Sequence, residues 1–138
     1  LSTETHQLEQ IIQSIPNTSL LCIGDLMLDC YIFGEVQRIS PEAPVPVLLS
    51  KHLKSSLGGA GNVAQNLDSL NVRTFFISVI GDDTNGDNTL KHIKQLSKVE
   101  AQILRAKDHP STTKTRLISE GHYLLRYDQE IKLSVSEG

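Results

Sequence analysis

The sequence contains no tryptophan, and aromatic residues are only 4% of the chain. Proteins that grip single-stranded nucleic acid rely on stacking rings, so that class is set aside. Cysteine is nearly absent too. Cys22 and Cys30 are the only two, too few for a disulfide framework or a zinc site. Cys22 lies in an apolar run and is expected to pack as a small hydrophobe. There is no basic block. Lys and Arg number 13 against 16 Asp and Glu, a net charge of −3. That balance argues against nucleic acid or a membrane surface as partner, and leaves room for a small anion held by a few local cations. No apolar stretch is long enough to cross a bilayer, and no signal-peptide pattern is present, so a cytoplasmic location is expected. Walker A motifs, internal repeats and linkers are all missing. The first residue is Leu rather than Met, so the sequence reads as a piece of a longer one.

What is present is apolar material spread along all 138 residues, 38% of the composition. That is enough for a core and suits one domain or a large part of one. Leu8, Ile11, Ile12 and Ile15 fall at the spacing of one helical stripe, which Pro16 ends. Ser19 to Ile23 is a continuous apolar run closed by Gly24-Asp25, as in a parallel strand buried on both faces. Tyr31–Val36 and Val45–Ser50 read as strands. Pro41, Pro44 and Pro46 between them mark both as edge or lid strands.

After Gly58-Gly59-Ala60-Gly61-Asn62 a helix is predicted with Val63, Ala64, Leu67 and Leu70 on one face. Thr74–Ile80 is a second buried strand. Thr84 and Asp87 suggest a capping box opening a helix with Leu90, Ile93 and Leu96. Val99–Leu104 is a strand, and 112–119 and 122–128 flank Glu120-Gly121 as a hairpin. This alternation indicates an α/β fold. A further helix is expected to start within Ser134 to Gly138.

The glycine cluster carries the strongest local signal. Glycines at a helix start let backbone approach a ligand, where free N–H groups favour an anion or hydroxyl oxygens. Tight packing alone also explains such an entry. Gly59-x-Gly61-x-x-Ala64 further fits a dinucleotide fingerprint, with Asp82 or Asp83 about 20 residues on. Its context is wrong, because the polar-leaning segment Lys51 to Leu57 separates it from a strand and the first buried strand carries no such glycines.

Gly58 to Ala64 resembles the first signature of the ribokinase (PfkB) carbohydrate kinases. Gly81 matches a later glycine of that signature. Asn71 stands where Gly or Ser is usual, a mild departure if it caps a helix, since Asn tolerates the left-handed conformation. Gly24-Asp25-Leu26-Met27-Leu28-Asp29 resembles the family's first-strand motif. Arg38-Ile39-Ser40-Pro41-Glu42-Ala43-Pro44-Val45-Pro46-Val47 is very similar to the lid segment of the heptose 7-phosphate kinases, and is more specific than the glycine turn. Pro110 to Arg116 and Leu124 to Asp128 complete a resemblance covering about 19–130.

The resemblance implies a partial ribokinase-like sheet with helices plus a small β-lid, residues 1–138 forming the N-terminal, substrate-binding part, with lid strands at about 30–50 and 112–128. It implies Asp29 as the sugar-binding carboxylate; spacing alone reads it equally as a turn cap. Gly58 and Gly59 would offer backbone N–H groups, and Asn62 would bind the sugar or else cap the helix. Lys114 and Arg116 alternate along a strand and share a face, one that would meet a sugar phosphate or else only solvent. Arg38 and Arg126 are weaker candidates, and Asp128 and Glu130 lie near a family acid that contacts the sugar. Asp25, Asp82 and Asp83 read as strand-end and helix-start residues. The five histidines show no ligand spacing, and no metal site is expected.

ATP and Mg²⁺ are implied for the full-length relatives, with neither bound tightly by this chain alone. The family's catalytic Gly-Ala-Gly-Asp motif does not occur in these residues, so no catalytic residue is assigned and no kinase activity is expected from them alone. A homodimer through the lid is implied as well. Three alternatives stay open: another sugar or nucleoside specificity, a non-catalytic dimerising module, and a dinucleotide-binding domain.

Overall fold

The computed structural model describes residues 3–131; Ser134 to Gly138, where a further helix was expected, lie outside them. Helix α1 (Thr3–Ser14) ends in a short 3₁₀ turn, Ile15–Asn17. Pro16 sits in that turn, where its missing N–H is tolerated. The predicted apolar stripe forms on α1, yet Leu8, Ile11 and Ile12 are exposed and meet no core.

Strands β1 (Ser19–Ile23), β4 (Arg73–Gly81) and β5 (Val99–Ala106) form a parallel sheet in the order β1-β4-β5. Helices α2 (Ala60–Ser69) and α3 (Thr84–Ile93) cover one face of it. The core there is Leu26, Leu57, Ala64, Phe76, Ile80 and Ile93, with Cys22 packed alongside as expected. Among the described residues nothing covers the opposite face. Strand β4 alternates, with Phe76 and Ile80 buried and Phe75 and Val79 exposed.

The expectation that β1 and β4 are buried on both faces is therefore corrected. On β1, Leu21 and Ile23 are exposed, at 61% and 67%. Among the described residues the strand is an edge of the sheet, with only β4 beside it. A continuous apolar run reports what the residues can bury, and on β1 only Cys22 is part-buried. Along α2 the predicted stripe is likewise only partly used, since Ala64 is buried while Val63 and Leu70 are exposed.

The second sheet is the lid. Strands β2 (Leu26–Ile39), β3 (Pro46–Gly59), β6 (Thr113–Ser119) and β7 (His122–Gln129) lie in the order β3-β2-β6-β7. Both long strands exceed their predicted spans. Strand β3 has a free edge, as its prolines implied. Strand β2 is central, antiparallel to β3 and parallel to β6. The prolines lie outside β2 itself and so take no ladder donor from it. The segment 51–57, read as intervening polar sequence, belongs to β3. The hairpin β6–β7 turns through Glu120 and Gly121, both at positive φ (49° and 80°), the backbone of a type I′ turn.

Two helix ends follow from local chemistry. Asn71 takes φ 58° just after α2. Its N–H donates to Asp68 O, and that of Val72 donates to Leu67 O, the paired bonds of a Schellman ending. Helix α3 is capped one residue earlier than predicted. Asp83, not Thr84, is the cap, accepting from Gly86 N at 2.7 Å. Asp87 instead pairs with Arg105, as does Asp82.

Candidate functional site

The carboxyl end of the parallel sheet meets the root of the lid through buried polar contacts. Ser78 Oγ donates to Gly24 O at 2.6 Å and accepts from Leu26 N at 3.1 Å. One hydroxyl thereby joins the ends of β1 and β4 to the start of β2. The loop before β6 is tied down similarly. Ser111 Oγ accepts from Gly81 N at 3.0 Å, Ser111 N donates to Asp83 Oδ2 at 2.8 Å, and Thr112 O accepts from Leu28 N at 2.9 Å. Burial alone would raise the Asp83 carboxyl; the N–H groups of Ser111 and Gly86 outweigh it and hold the carboxyl below its ordinary value.

Asp29 stands on β2 three residues past Leu26. Its neighbours across the ladders are Ser56 on β3 and Lys114 on β6. Arg116, two residues on, lies on the same face and donates to Asp29 Oδ1 at 2.6 Å, with both side chains about four-fifths buried. That bond, chiefly, raises the Arg116 pKa above its usual range. The Arg116 guanidinium also lies 5.2 Å from the centre of the Tyr31 ring. Lys114 Nζ donates to Asp128 Oδ2 at 3.1 Å and approaches Glu130 Oε2 at 3.5 Å; the Asp128 bond is the main cause of its raised pKa. Arg126 donates to the other oxygen of Asp128 at 3.0 Å. Asp29, Lys114, Arg116, Arg126 and Asp128 thus form one charged surface on one face of the lid.

The glycines sit directly against this surface. A Cβ on Gly58 would lie 2.6 Å from Asp29 Oδ2, so the carboxylate occupies the space a side chain would take. Gly59 turns the chain from β3 into α2 at φ 56°, ψ −132°, where a Cβ would lie 2.5 Å from Asp25 O. Gly59 is also the cap of α2. Asn62 is therefore not the capping residue, and it is exposed on the first turn. Arg38 does not join the cluster. It lies nine residues further along β2, exposed, roughly 30 Å away at the rise of an extended strand. The Ser40–Val45 turn beside it closes the far tip of the lid, with Ser40 N donating to Val45 O at 2.8 Å.

The histidines take varied places. His52 stacks on Phe33, and the His92 ring shares a 2.8 Å hydrogen bond with Ser55 between α3 and β3. Among the described residues there is no group of three His, Cys, Asp or Glu that could hold a metal ion, and no helix long and apolar enough to cross a membrane. Sequence reading missed the Asp29–Arg116 pair itself. Register across β2 and β6 creates it, and no spacing along the chain announces it.

This architecture, a parallel sheet with helices feeding a β-lid over a glycine-bounded carboxylate, is that of a sugar-kinase fold. The chain belongs to the pfkB family of carbohydrate kinases, whose pattern it matches over residues 17–131. It is similar to the bifunctional protein HldE of Hyphomonas neptunium, 44% identical over 131 residues, which cover 95% of this chain and 27% of that protein. The HldE protein of a Bradyrhizobium strain is 39% identical over 131 residues, 94% of this chain and 27% of its own. The chain thus spans about a quarter of the length of these curated relatives.

Among solved structures, a carbohydrate kinase from Agrobacterium tumefaciens superposes with TM-score 0.66 at 21% identity, over 81% of this chain and 35% of the other. Arabidopsis thaliana ribokinase, solved with ribose and ATP, gives 0.61 at 17% identity, over 81% and 35%. At these identities the likeness shows the fold. The dinucleotide alternative loses its topological basis, because Gly59 follows an antiparallel lid strand rather than a strand of the parallel sheet.

Proposed function

We propose that this chain is the sugar-holding part of a kinase that phosphorylates a heptose 7-phosphate at its anomeric hydroxyl, serving ADP-heptose and lipopolysaccharide-core synthesis in the cytoplasm. The observation that carries the reading is the Asp29 carboxylate, held between Gly58 and Arg116 on a face shared with Lys114. A carboxylate fixed in this way accepts hydrogen bonds from two neighbouring sugar hydroxyls. Arg116 fixes its orientation. Lys114, already raised in pKa, is a cation available to a phosphate oxygen. Gly59 is exposed where β3 turns into α2, and Asn62 stands exposed at the helix start beside it. The similarity to HldE proteins supports the heptose, and the Arg38–Val47 segment supports the same choice.

ATP with Mg²⁺ would supply the phosphoryl group. The described residues offer no metal-holding cluster, so neither is assigned a place among them. Residues 1–138 alone are expected to show no phosphorylation of heptose 7-phosphate, and ATP-dependent turnover by them would refute that. The lid is proposed as the dimer contact. Leu53, Leu125 and Tyr127 are 73%, 59% and 58% exposed and share the lid face opposite Asp29, an apolar surface that water does not favour.

The test of specificity is a panel of sugar phosphates, free sugars and nucleosides followed by thermal shift. Heptose 7-phosphate should stabilise the protein, and Asp29→Ala should abolish the shift. A shift from another sugar or a nucleoside alone would move the assignment to that ligand. Unchanged ligand binding in Asp29→Ala, with dimerisation intact, would favour a non-catalytic assembly module.

A further inference from the structure

The Asp29–Arg116 pair continues into a file of rings along the same face of the lid. Tyr31 and Phe33 follow Asp29 at alternate positions of β2, so all three side chains leave the sheet on one side. Across the ladders Tyr31 lies beside Arg116 on β6, and Phe33 lies beside His52 on β3. The Arg116 guanidinium carbon sits 5.2 Å from the centre of the Tyr31 ring, within the range of a cation–π contact. The Tyr31 and Phe33 rings are stacked, 6.2 Å between centres and 17° between planes. The Phe33 and His52 rings are closer and more nearly parallel, at 4.4 Å and 10°.

Arg116 has a use for such a file. Among the described residues, both hydrogen bonds of its guanidinium start from Nη1. One goes to Asp29 Oδ1 at 2.6 Å, and a longer one goes to Lys114 O at 3.4 Å. Arginine grips a carboxylate most firmly when two of its nitrogens donate to the two oxygens in parallel. A guanidinium held through one nitrogen can pivot about that bond, and the carboxylate can turn with it. An aromatic ring against the guanidinium opposes the pivot, because tilting the plane gives up the contact with the ring face. The side chains of Asp29 and Arg116 are about four-fifths buried, where a cation–π contact is stronger than at an exposed site. Tyr31 is itself half-buried and stacked on Phe33, so its ring cannot swing away without breaking the stack.

We propose that Tyr31 is a positioning residue of the sugar site. Its ring face fixes the plane of the Arg116 guanidinium, and through it the Asp29 carboxylate that receives the sugar hydroxyls. This rests on the sugar-binding reading above and adds a residue that acts without touching the sugar. The ring face is the acting part, and the phenol hydroxyl is dispensable. Read along the chain, Tyr31 is only the first residue of a lid strand. The β2–β6 register sets it beside Arg116.

Two measurements on the intact protein test it. The first needs neither a ligand nor a Tyr31 variant: nitrogen relaxation of the Arg116 Nε–H bond, assigned from Arg116→Lys. That bond should be much more rigid than the same bond of Arg38, which is exposed. Equal mobility of the two overturns the inference.

The second is affinity for whichever member of the sugar panel the wild type binds. Tyr31→Phe keeps the ring face and should stay within about twofold of wild type, whereas Tyr31→Leu should weaken binding by about three- to tenfold, the scale of one cation–π contact. Equal affinities for the two variants overturn the inference and leave the sugar reading intact. In an Arg116→Met background, Tyr31→Leu should cost nothing further, since the ring acts only through the guanidinium. A loss there as large as in the wild type also overturns the inference, by making Tyr31 a direct contact. A wild-type protein that binds no panel member overturns both readings.

Discussion

Replacing Gly59 by Ala should be among the most damaging single-methyl changes in this chain, and its cost has two separable parts. The first is conformational. At φ 56°, ψ −132° an L-residue with a side chain is strained by about 1–3 kcal/mol. The second is steric. The new Cβ would sit 2.5 Å from Asp25 O and 2.9 Å from Met27 Cε. The methionine can swing away, but the carbonyl cannot, because it also accepts from Ala60 N at 2.9 Å. Relieving the clash means moving the β3–α2 junction, at about 1–3 kcal/mol.

The sum is about 2–6 kcal/mol. Gly121→Ala provides the control. That glycine also has positive φ, 80°, but a Cβ there would meet nothing within 4 Å, so only the conformational part remains. Urea unfolding of both variants beside the wild type measures the difference. Gly59→Ala should be the less stable by at least about 1 kcal/mol, the lower bound of the steric part. Equal losses would refute the claim that the Asp25 carbonyl closes this turn.

Three further outcomes are expected. Ser78→Ala strands the buried Leu26 N and the part-buried Gly24 O, and should cost about 1–3 kcal/mol in urea unfolding; a neutral result would show that the strand ends are held by other contacts. Asp83 has a folded pKa below its unfolded value. Its contribution is therefore fully present above about pH 4 and is lost as pH falls through and below that point. The acid limb of the stability–pH curve should flatten in Asp83→Asn, and an unchanged limb would contradict the assignment. Leu53→Glu combined with Leu125→Glu should convert a lid-mediated dimer to monomer in sedimentation velocity without shifting the unfolding midpoint, because both side chains are exposed in the single chain.

How much could be read in advance varied with the range of the interactions. Asn71 was legible because the Schellman ending is a local matter of one residue's φ. The Glu120-Gly121 hairpin was legible for the same reason. The cap of α3 was misplaced by one residue because Asp83 and Thr84 are both capable caps. The choice fell to Asp83, whose second oxygen Ser111 engages from 28 residues away. Strand β2 was read as peripheral because prolines mark nearby sequence, and nothing local says that β6 will pair along its other edge. The Asp29–Arg116 pair spans 87 positions and depends wholly on that pairing.

The sequence by itself determined the family, the element order and the sharing of one face by Lys114 and Arg116. Each rests on residue identity or on a periodicity of two or three to four positions, which the backbone imposes wherever the strand or helix forms. Only the tertiary structure decided which faces are covered. Among the described residues it left Leu21, Ile23, Phe75 and Val79 exposed on one face of the parallel sheet, put β2 at the centre of the lid, set Asp29 between Gly58 and Arg116, and kept Arg38 at the far tip. The physical reason is that burial and ion pairing depend on which strand lies beside which. That is set by register and loop closure between distant segments, and those leave no mark in the local pattern of either partner.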